Sequence, residues 1–157
     1  MPGKRDPVIV SFARTPQGKF GGALAGVSAP ELGATAIRAA VARAGIAPEA
    51  VGEVIMGIVL PAGLGQHPAR QAALGGGIPD SAPAYNINKM CGSGMKALMN
   101  AANAIRAGEH DIVVAGGMES MSRTPFLIGR QKWKPDPEGE PVDRLGWWYR
   151  RCAPPRC

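Results

Sequence analysis

Histidine is almost missing from this chain: His67 and His110 are the only two among 157 residues. Cysteine is nearly as scarce, with three residues, and aromatic side chains make up only 5%. Three cysteines, an odd number, do not make the framework of a small disulfide-stapled domain. No Cys/His spacing matches a zinc finger, and Cys152 and Cys157 lack the further ligands that would complete a zinc site. No metal site is expected. No apolar stretch approaches the roughly 20 residues that cross a bilayer as a helix. The opening, Met1 to Pro7, is polar and does not resemble a secretory leader. These absences predict a reducing, cytoplasmic setting with no membrane partner. Long basic blocks and basic stripes interleaved with rings are missing too, which argues against nucleic acid as a partner.

What is present fits a globular protein. Hydrophobic residues make up 45% and charged residues 19%. With so few rings, the core must rest on Ala, Val, Ile, Leu and Met. The net charge of +6 suits an anionic ligand as readily as a mildly basic solvated surface. Glycine (22) and proline (15) are each abundant, at about double their usual shares of ~7% and ~5%. Because the apolar segments are periodic, this excess implies tight turns and close backbone packing rather than disorder.

Val8 to Ala13 is short, β-branched and apolar, and predicts a buried strand. A Gly/Pro-containing loop follows from Arg14 to Gly26. Ser28 and Glu31 form a capping-box pattern, with Pro30 in the first turn and Gly45 at the far end, so a helix is expected to about Ala44. Ala34, Ala36, Ala39 and Ala40 would let it approach a sheet closely. Val54 to Val59 predicts a second buried strand. A short helix should start at Pro68 and end near Gly75. Ala84 to Asn88 predicts a third strand, Ser93 to Ala107 a long helix, and Ile112 to Ala115 a fourth strand. On that helix Met95, Leu98, Met99, Ala102 and Ile105 recur at helical spacing, which predicts a core-facing stripe. Met90, Met118 and Met121 are likewise expected to pack inside. The order β-α-β-α-β-α-β predicts an α/β layer fold around a mostly parallel sheet.

From about Gln131 the character changes. Trp133, Trp147 and Trp148 cluster there with five prolines, and from Arg144 onward there are four arginines and no acid. No helical or strand period is visible. The expected organisation is an α/β unit over residues 1–130. Residues 131–157 are then either the start of a further domain or an irregular tail, with a shifted reading frame as an alternative source.

Cys91 lies between the third strand and the long helix, in Asn88-Lys89-Met90-Cys91-Gly92-Ser93-Gly94. The first N–H groups of a helix lack intrahelical partners and, with the macrodipole, favour negative charge. That suits both a thiolate and the oxyanion formed when it attacks a carbonyl. Read from the residues alone, a nucleophile and an inert buried thiol both stay open. His67 and His110 read as solvent-facing loop residues. Arg70 reads either as orienting a loop or as solvated, and Glu119 as holding nearby backbone.

Four segments together resemble the thiolase family. They are Asn88 to Gly94; Arg14-Thr15-Pro16 with Gly18, Phe20, Gly21 and Gly22; Gly63 to Ala72, with His67 where Asn is more familiar; and Ala115 to Ser122. They cover about residues 8 to 128, and the acetyl-CoA acetyltransferase type fits best. Ketosynthase relatives also place a Cys at a helix start, but Gly116 to Ser122 favours the thiolases. The resemblance implies the N-terminal half of a two-half layered α/β fold, with the chain entering the family's loop domain after about residue 130. It implies acetyl-CoA or acyl-CoA as substrate, no covalently bound cofactor, and a homo-oligomer, dimer or tetramer, at full length. It makes Cys91 the catalytic nucleophile that forms the acyl-thioester intermediate, with its backbone N–H as an oxyanion donor. The family's catalytic His, second Cys and Asn-containing motif belong to the later half. The resemblance therefore implies acylation of Cys91 rather than a full cycle, or a silent fragment acting as a binding or assembly module.

Overall fold

The computed structural model describes residues 5–127 together with 142–143. The expectations for the remainder of 131–157 lie outside these residues. Helix α1 spans Ala29–Ala44 and begins with the full capping box: the Ser28 hydroxyl accepts from the Glu31 N–H, and the Glu31 carboxylate accepts from the Ser28 N–H. Gly45 closes it in the left-handed conformation, at φ 67°. Strand β1 is Glu53–Gly57, helix α2 Pro68–Gly75, strand β2 Ala84–Ile87, helix α3 Ser93–Ala107 and strand β3 Val113–Gly117. Short 3-10 turns occupy Pro48–Ala50 and Met121–Arg123. A separate two-residue pair joins β4, Phe126–Leu127, antiparallel to β5, Val142–Asp143.

The main sheet has three strands in the order β2-β1-β3, all parallel. Its central strand explains its own composition. Val54 and Met56 face one side, where they pack with Ala29, Ile37, Val41, Ala69, Ala72 and Ala73 of α1 and α2. Ile55 faces the other side, against Ala97 and Ala101 of α3. Both faces are covered, so an unbroken apolar run is what the position requires.

Two expectations fail, each for a physical reason. Residues 8–13 form no strand; Val8, Ile9, Val10 and Phe12 are 72% to 81% exposed. The segment is tethered by side chains instead. The Ser11 hydroxyl donates to Ala40 O at 2.9 Å, Arg43 donates to Phe12 O at 3.0 Å, and Arg5 pairs with Asp111. Without a ladder partner among the described residues, its β-branched side chains gain nothing from being extended. The second failure concerns α3, which turns a different face to the sheet. Ser93, Ala97, Ala101 and Ala104 are buried, while Met95, Leu98 and Met99 are 40% to 66% exposed. Small side chains let the helix sit closer than a Met/Leu stripe would. Met90 and Met121 are exposed as well, so among those five methionines only Met118 packs inside. Helix α1, for its part, lies against α2: a Cβ on Gly33 would come within 3.1 Å of Ala72 Cβ, and one on Gly75 within 3.1 Å of Ala34 Cβ.

Candidate active site

All three parallel strands end at the same edge, at Gly57, Ile87 and Gly117. In open parallel sheets this carboxyl edge is where ligands bind. Cys91 lies there, exposed, in the turn that carries the chain from β2 into α3. Its exposure removes the inert buried-thiol reading.

The turn is built by three residues. Met90 adopts φ 51°, a left-handed conformation that costs a non-glycine residue roughly 1–2 kcal/mol. Asn88 supports it: its side-chain oxygen accepts from the Met90 N–H at 3.0 Å. Ser93, only 4% exposed, completes the clamp. Its hydroxyl accepts from the Lys89 N–H at 2.8 Å and donates to Met90 O at 2.6 Å. The buried hydroxyl is thus satisfied on both sides, as burial demands. The Gly92 and Ser93 N–H groups are used inside the same turn, donating to Lys89 O and Met90 O at 3.0 Å each. They are not open to an oxyanion, which removes two helix-start amides from the expected set; the N–H of Cys91 stays in it.

The end of β1 presses directly on this turn. A Cβ at Gly57 would lie 2.5 Å from the Ser93 carbonyl carbon and 2.6 Å from Gly94 N. Gly117 approaches Gly94 from the other side, with a Cβ there meeting Gly94 Cα at 3.3 Å. Two glycines at strand ends therefore set how deep α3 sits, and through it where Cys91 lies. The run Val-Ile-Met-Gly-Ile-Val hinted at this, because a lone glycine inside an apolar strand often marks close backbone approach.

The other segments singled out in the sequence gather around the same edge. Glu119 is half-buried after β3. Its carboxylate accepts from the Val59 N–H at 2.8 Å and the Leu60 N–H at 3.2 Å. Burial raises its pKa above the usual carboxylate value, and the two backbone donors offset part of that rise. Ser120 donates to Val27 O, Arg123 to Gly26 O, and the Ser122 hydroxyl accepts from the Gly21 N–H, so the opening loop is fastened to this segment.

His67 adopts φ 54° as the N-cap of α2, where its Nδ1 accepts from the Arg70 N–H at 3.3 Å. Asn suits such a position because it both caps and tolerates the left-handed conformation; an imidazole Nδ1 supplies the same acceptor. Arg70 orients a loop, donating to Asp80 O and Ala82 O at 2.6 Å each. His110 is not a free loop residue. Its side chain is 26% exposed, it lies 4.0 Å from Glu53, and a Cβ on Gly52 would meet its Nδ1 at 2.6 Å. It therefore packs at the start of β1, whereas Cys91 lies beyond its end. Four residue steps of strand separate these edges by about 13 Å.

Among the described residues no group of three His, Cys, Asp or Glu side chains could hold a metal ion. Among them, too, no helix is long and apolar enough to cross a membrane.

Comparison with known proteins agrees with this architecture. The family described as "Thiolase, N-terminal domain" matches residues 7–135, and the chain belongs to the thiolase family. An acetyl-CoA acetyltransferase of Cupriavidus necator is 63% identical over 123 residues, covering 78% of this chain and 31% of the relative. A probable acetyl-CoA acetyltransferase of Escherichia coli is 56% identical over 124 residues, covering 79% of this chain and 32% of the relative. The crystal structure of the Bacillus anthracis acetyl-CoA acetyltransferase superposes with a TM-score of 0.85 at 39% identity, over 90% of this chain and 36% of that one. The Acat5 thiolase from Ascaris suum, in complex with coenzyme A, gives 0.84 at 42% identity, over 89% and 36%. The chain thus spans about a third of the length of the curated relatives it matches. The fold expectation, a thiolase-like layered α/β half, is borne out.

Proposed function

We propose that this chain carries the acyl-accepting half-site of an acetyl-CoA acetyltransferase, with Cys91 as nucleophile and an acyl-CoA, acetyl-CoA first, as substrate. The Cys91 thiolate attacks the thioester carbonyl, and a new carbon–sulfur bond forms. The resulting oxyanion accepts a hydrogen bond from the Cys91 N–H. Collapse breaks the bond to coenzyme A, which leaves as a thiolate and takes a proton from water. The products are acyl-Cys91 and free coenzyme A. A covalent intermediate of this kind divides one difficult transfer into two easier ones.

The observation that carries this reading is the place of Cys91: exposed, at the carboxyl edge of the sheet, in the turn leading into α3. In the second half-step a base removes a proton from a second acetyl-CoA, and the enolate attacks the acyl group to give a 3-ketoacyl-CoA. Neither histidine is placed for that work. His67 is engaged as a helix cap, and His110 packs at the opposite edge of the sheet. Acylation without turnover is therefore the activity proposed for these residues. The organisation that goes with it is an α/β unit over residues 1–130 followed by entry into a loop domain. The setting is cytoplasmic, and the full-length protein is a homodimer or homotetramer.

Incubating the folded chain with acetyl-CoA should add one acetyl group, mapped by peptide mass spectrometry to Cys91 and lost in Cys91→Ser. A folded chain that takes up no acetyl group would favour the second reading, a silent module, for which the remote histidines are the supporting observation. Acetoacetyl-CoA formation by this chain alone would overturn the restriction to a single acylation.

A further inference from the structure

Segment 57–60 lies between two parts of the molecule far apart in sequence. On one side Ile58 N–H donates to Ile87 O, and the Asn88 amide donates to Val59 O at 3.4 Å. On the other, Gly57 O accepts from Met118 N–H, and Glu119 takes the N–H groups of Val59 and Leu60 at 2.8 and 3.2 Å. Val59 is therefore held at both polar groups, its N–H by Glu119 and its carbonyl by Asn88. Asn88 in turn uses its other side-chain atom, the oxygen, on the N–H of Met90, the strained residue immediately before Cys91. A continuous path runs from the Glu119 carboxylate through the Val59 peptide and the Asn88 amide to the Met90–Cys91 turn.

We infer that Glu119 is a positioning residue for Cys91, acting through Val59 and Asn88 to hold the Met90 turn in its left-handed conformation. The role rests on the reading of Cys91 as the acylated nucleophile. Each link of the path is a hydrogen bond: Glu119 to the Val59 N–H, Asn88 to the Val59 carbonyl, and Asn88 to the Met90 N–H. The left-handed Met90 needs outside support to persist. Ser93 supplies one support from within the turn, at Lys89 N–H and Met90 O. Asn88 supplies the other, and it is the one anchored to the sheet edge. The 3.4 Å contact from Asn88 to Val59 is the longest link, near the outer limit of a hydrogen bond, so orientation of the Val59 peptide decides whether it forms. A carboxylate that grips both Val59 and Leu60 N–H groups fixes that orientation.

Amide hydrogen exchange on the folded chain tests the path without any substrate. Glu119→Ala should speed exchange at Met90 by about tenfold, the effect of losing one such hydrogen bond, while Ile37 and Val41 in α1 stay unchanged. Glu119→Gln, which keeps one acceptor oxygen, should restore much of the protection. Asn88→Ala should speed Met90 exchange by itself, and adding Glu119→Ala should then cause no further change, because the two act in series. Where Glu119→Ala does not fold, Glu119→Asp, whose shorter side chain reaches less far toward the Val59 and Leu60 N–H groups, replaces it in both comparisons. Loss of protection confined to Val59 and Leu60, or additive effects of the two substitutions at Met90, would overturn the inference. A parallel measurement of acetyl uptake keeps the two proposals apart. Wild-type chain that takes no acetyl group, with the exchange pattern intact, defeats the nucleophile reading. Normal uptake with Met90 exchange unmoved in Glu119→Ala defeats the positioning role.

Discussion

Residues 8–13 and 54–59 are nearly interchangeable in composition, Val-Ile-Val-Ser-Phe-Ala against Val-Ile-Met-Gly-Ile-Val. Their surroundings are opposite. Val8, Ile9 and Val10 are 77%, 77% and 72% exposed, whereas Val54, Ile55 and Met56 are 0%, 0% and 2% exposed. The second segment has a parallel neighbour on each edge and a helix layer on each face. The first has side-chain tethers to α1 and, among the described residues, no backbone ladder. Burial of a strand is thus conferred by its neighbours. Apolar composition is a condition for it and does not cause it.

The contrast can be broken most forcefully at matched isoleucines. Ile55→Ala removes a side chain from a closed site and should cost about 2–5 kcal/mol in urea unfolding. Ile9→Ala should stay within about 0.5 kcal/mol, as for other exposed sites. Equal costs at the two positions would mean that residues 8–13 are covered in solution. A second pair compares glycines. Gly57→Ala drives a methyl group into the backbone at Ser93 and Gly94 and should cost about 1–3 kcal/mol through overpacking. It should also shift the amide resonances of the Cys91 turn. Gly26→Ala, with no atom within 4 Å of the added carbon, should do neither. Third, Ser28→Ala removes the cap of α1, for an expected loss of about 1 kcal/mol seen as a lower unfolding midpoint.

The smallest effects are the pH responses, which should run in opposite directions at the sheet edge and at the start of α1. Glu119 has a raised pKa, caused by burial and partly offset by the Val59 and Leu60 amides. Between its unfolded and folded values the native state binds more protons, so its contribution to stability falls as pH rises through that window. Glu31 has a lowered pKa, caused first by the Ser28 hydroxyl and then by the Ser28 backbone. Its contribution is present above the ordinary value of 4.5 and is lost as pH falls toward the folded one. Urea midpoints measured across the acid range for Glu119→Gln and Glu31→Gln should change slope in opposite senses.

Local signals made much of this fold legible. Ser28, Glu31 and Gly45 mark the ends of α1 because capping chemistry is written in adjacent residues. Pro68 opens α2, and Gly108 closes α3. The position of Cys91 in the turn before α3 was also readable, and so was its family context. The inward face of α3 was not, because alanines look neutral beside a Met/Leu stripe and win only where glycines at Gly57 and Gly117 make room. Nor was the strand-like segment at 8–13, because pairing is a property of two segments. The support around Met90 was hidden for the same reason. Glu119 and Val59 are 60 residues apart in the chain, and nothing near either announces the other. Ser93, flanked by glycines, reads as turn material rather than as a buried clamp.

The outward stripe of α3 has a chemical consequence. Methionine sulfur reacts with peroxide where solvent reaches it, and the methionines of this fold span a wide range of access. Met56 and Met118 are 2% and 6% exposed, Met90 37%, Met121 49%, Met99 51% and Met95 66%. Oxidation should therefore begin on the outer face of α3 and reach the sheet only when the layers part. The order in which sulfoxides appear becomes an internal clock of unfolding. A partner that covers α3 would stop that clock at its first hand.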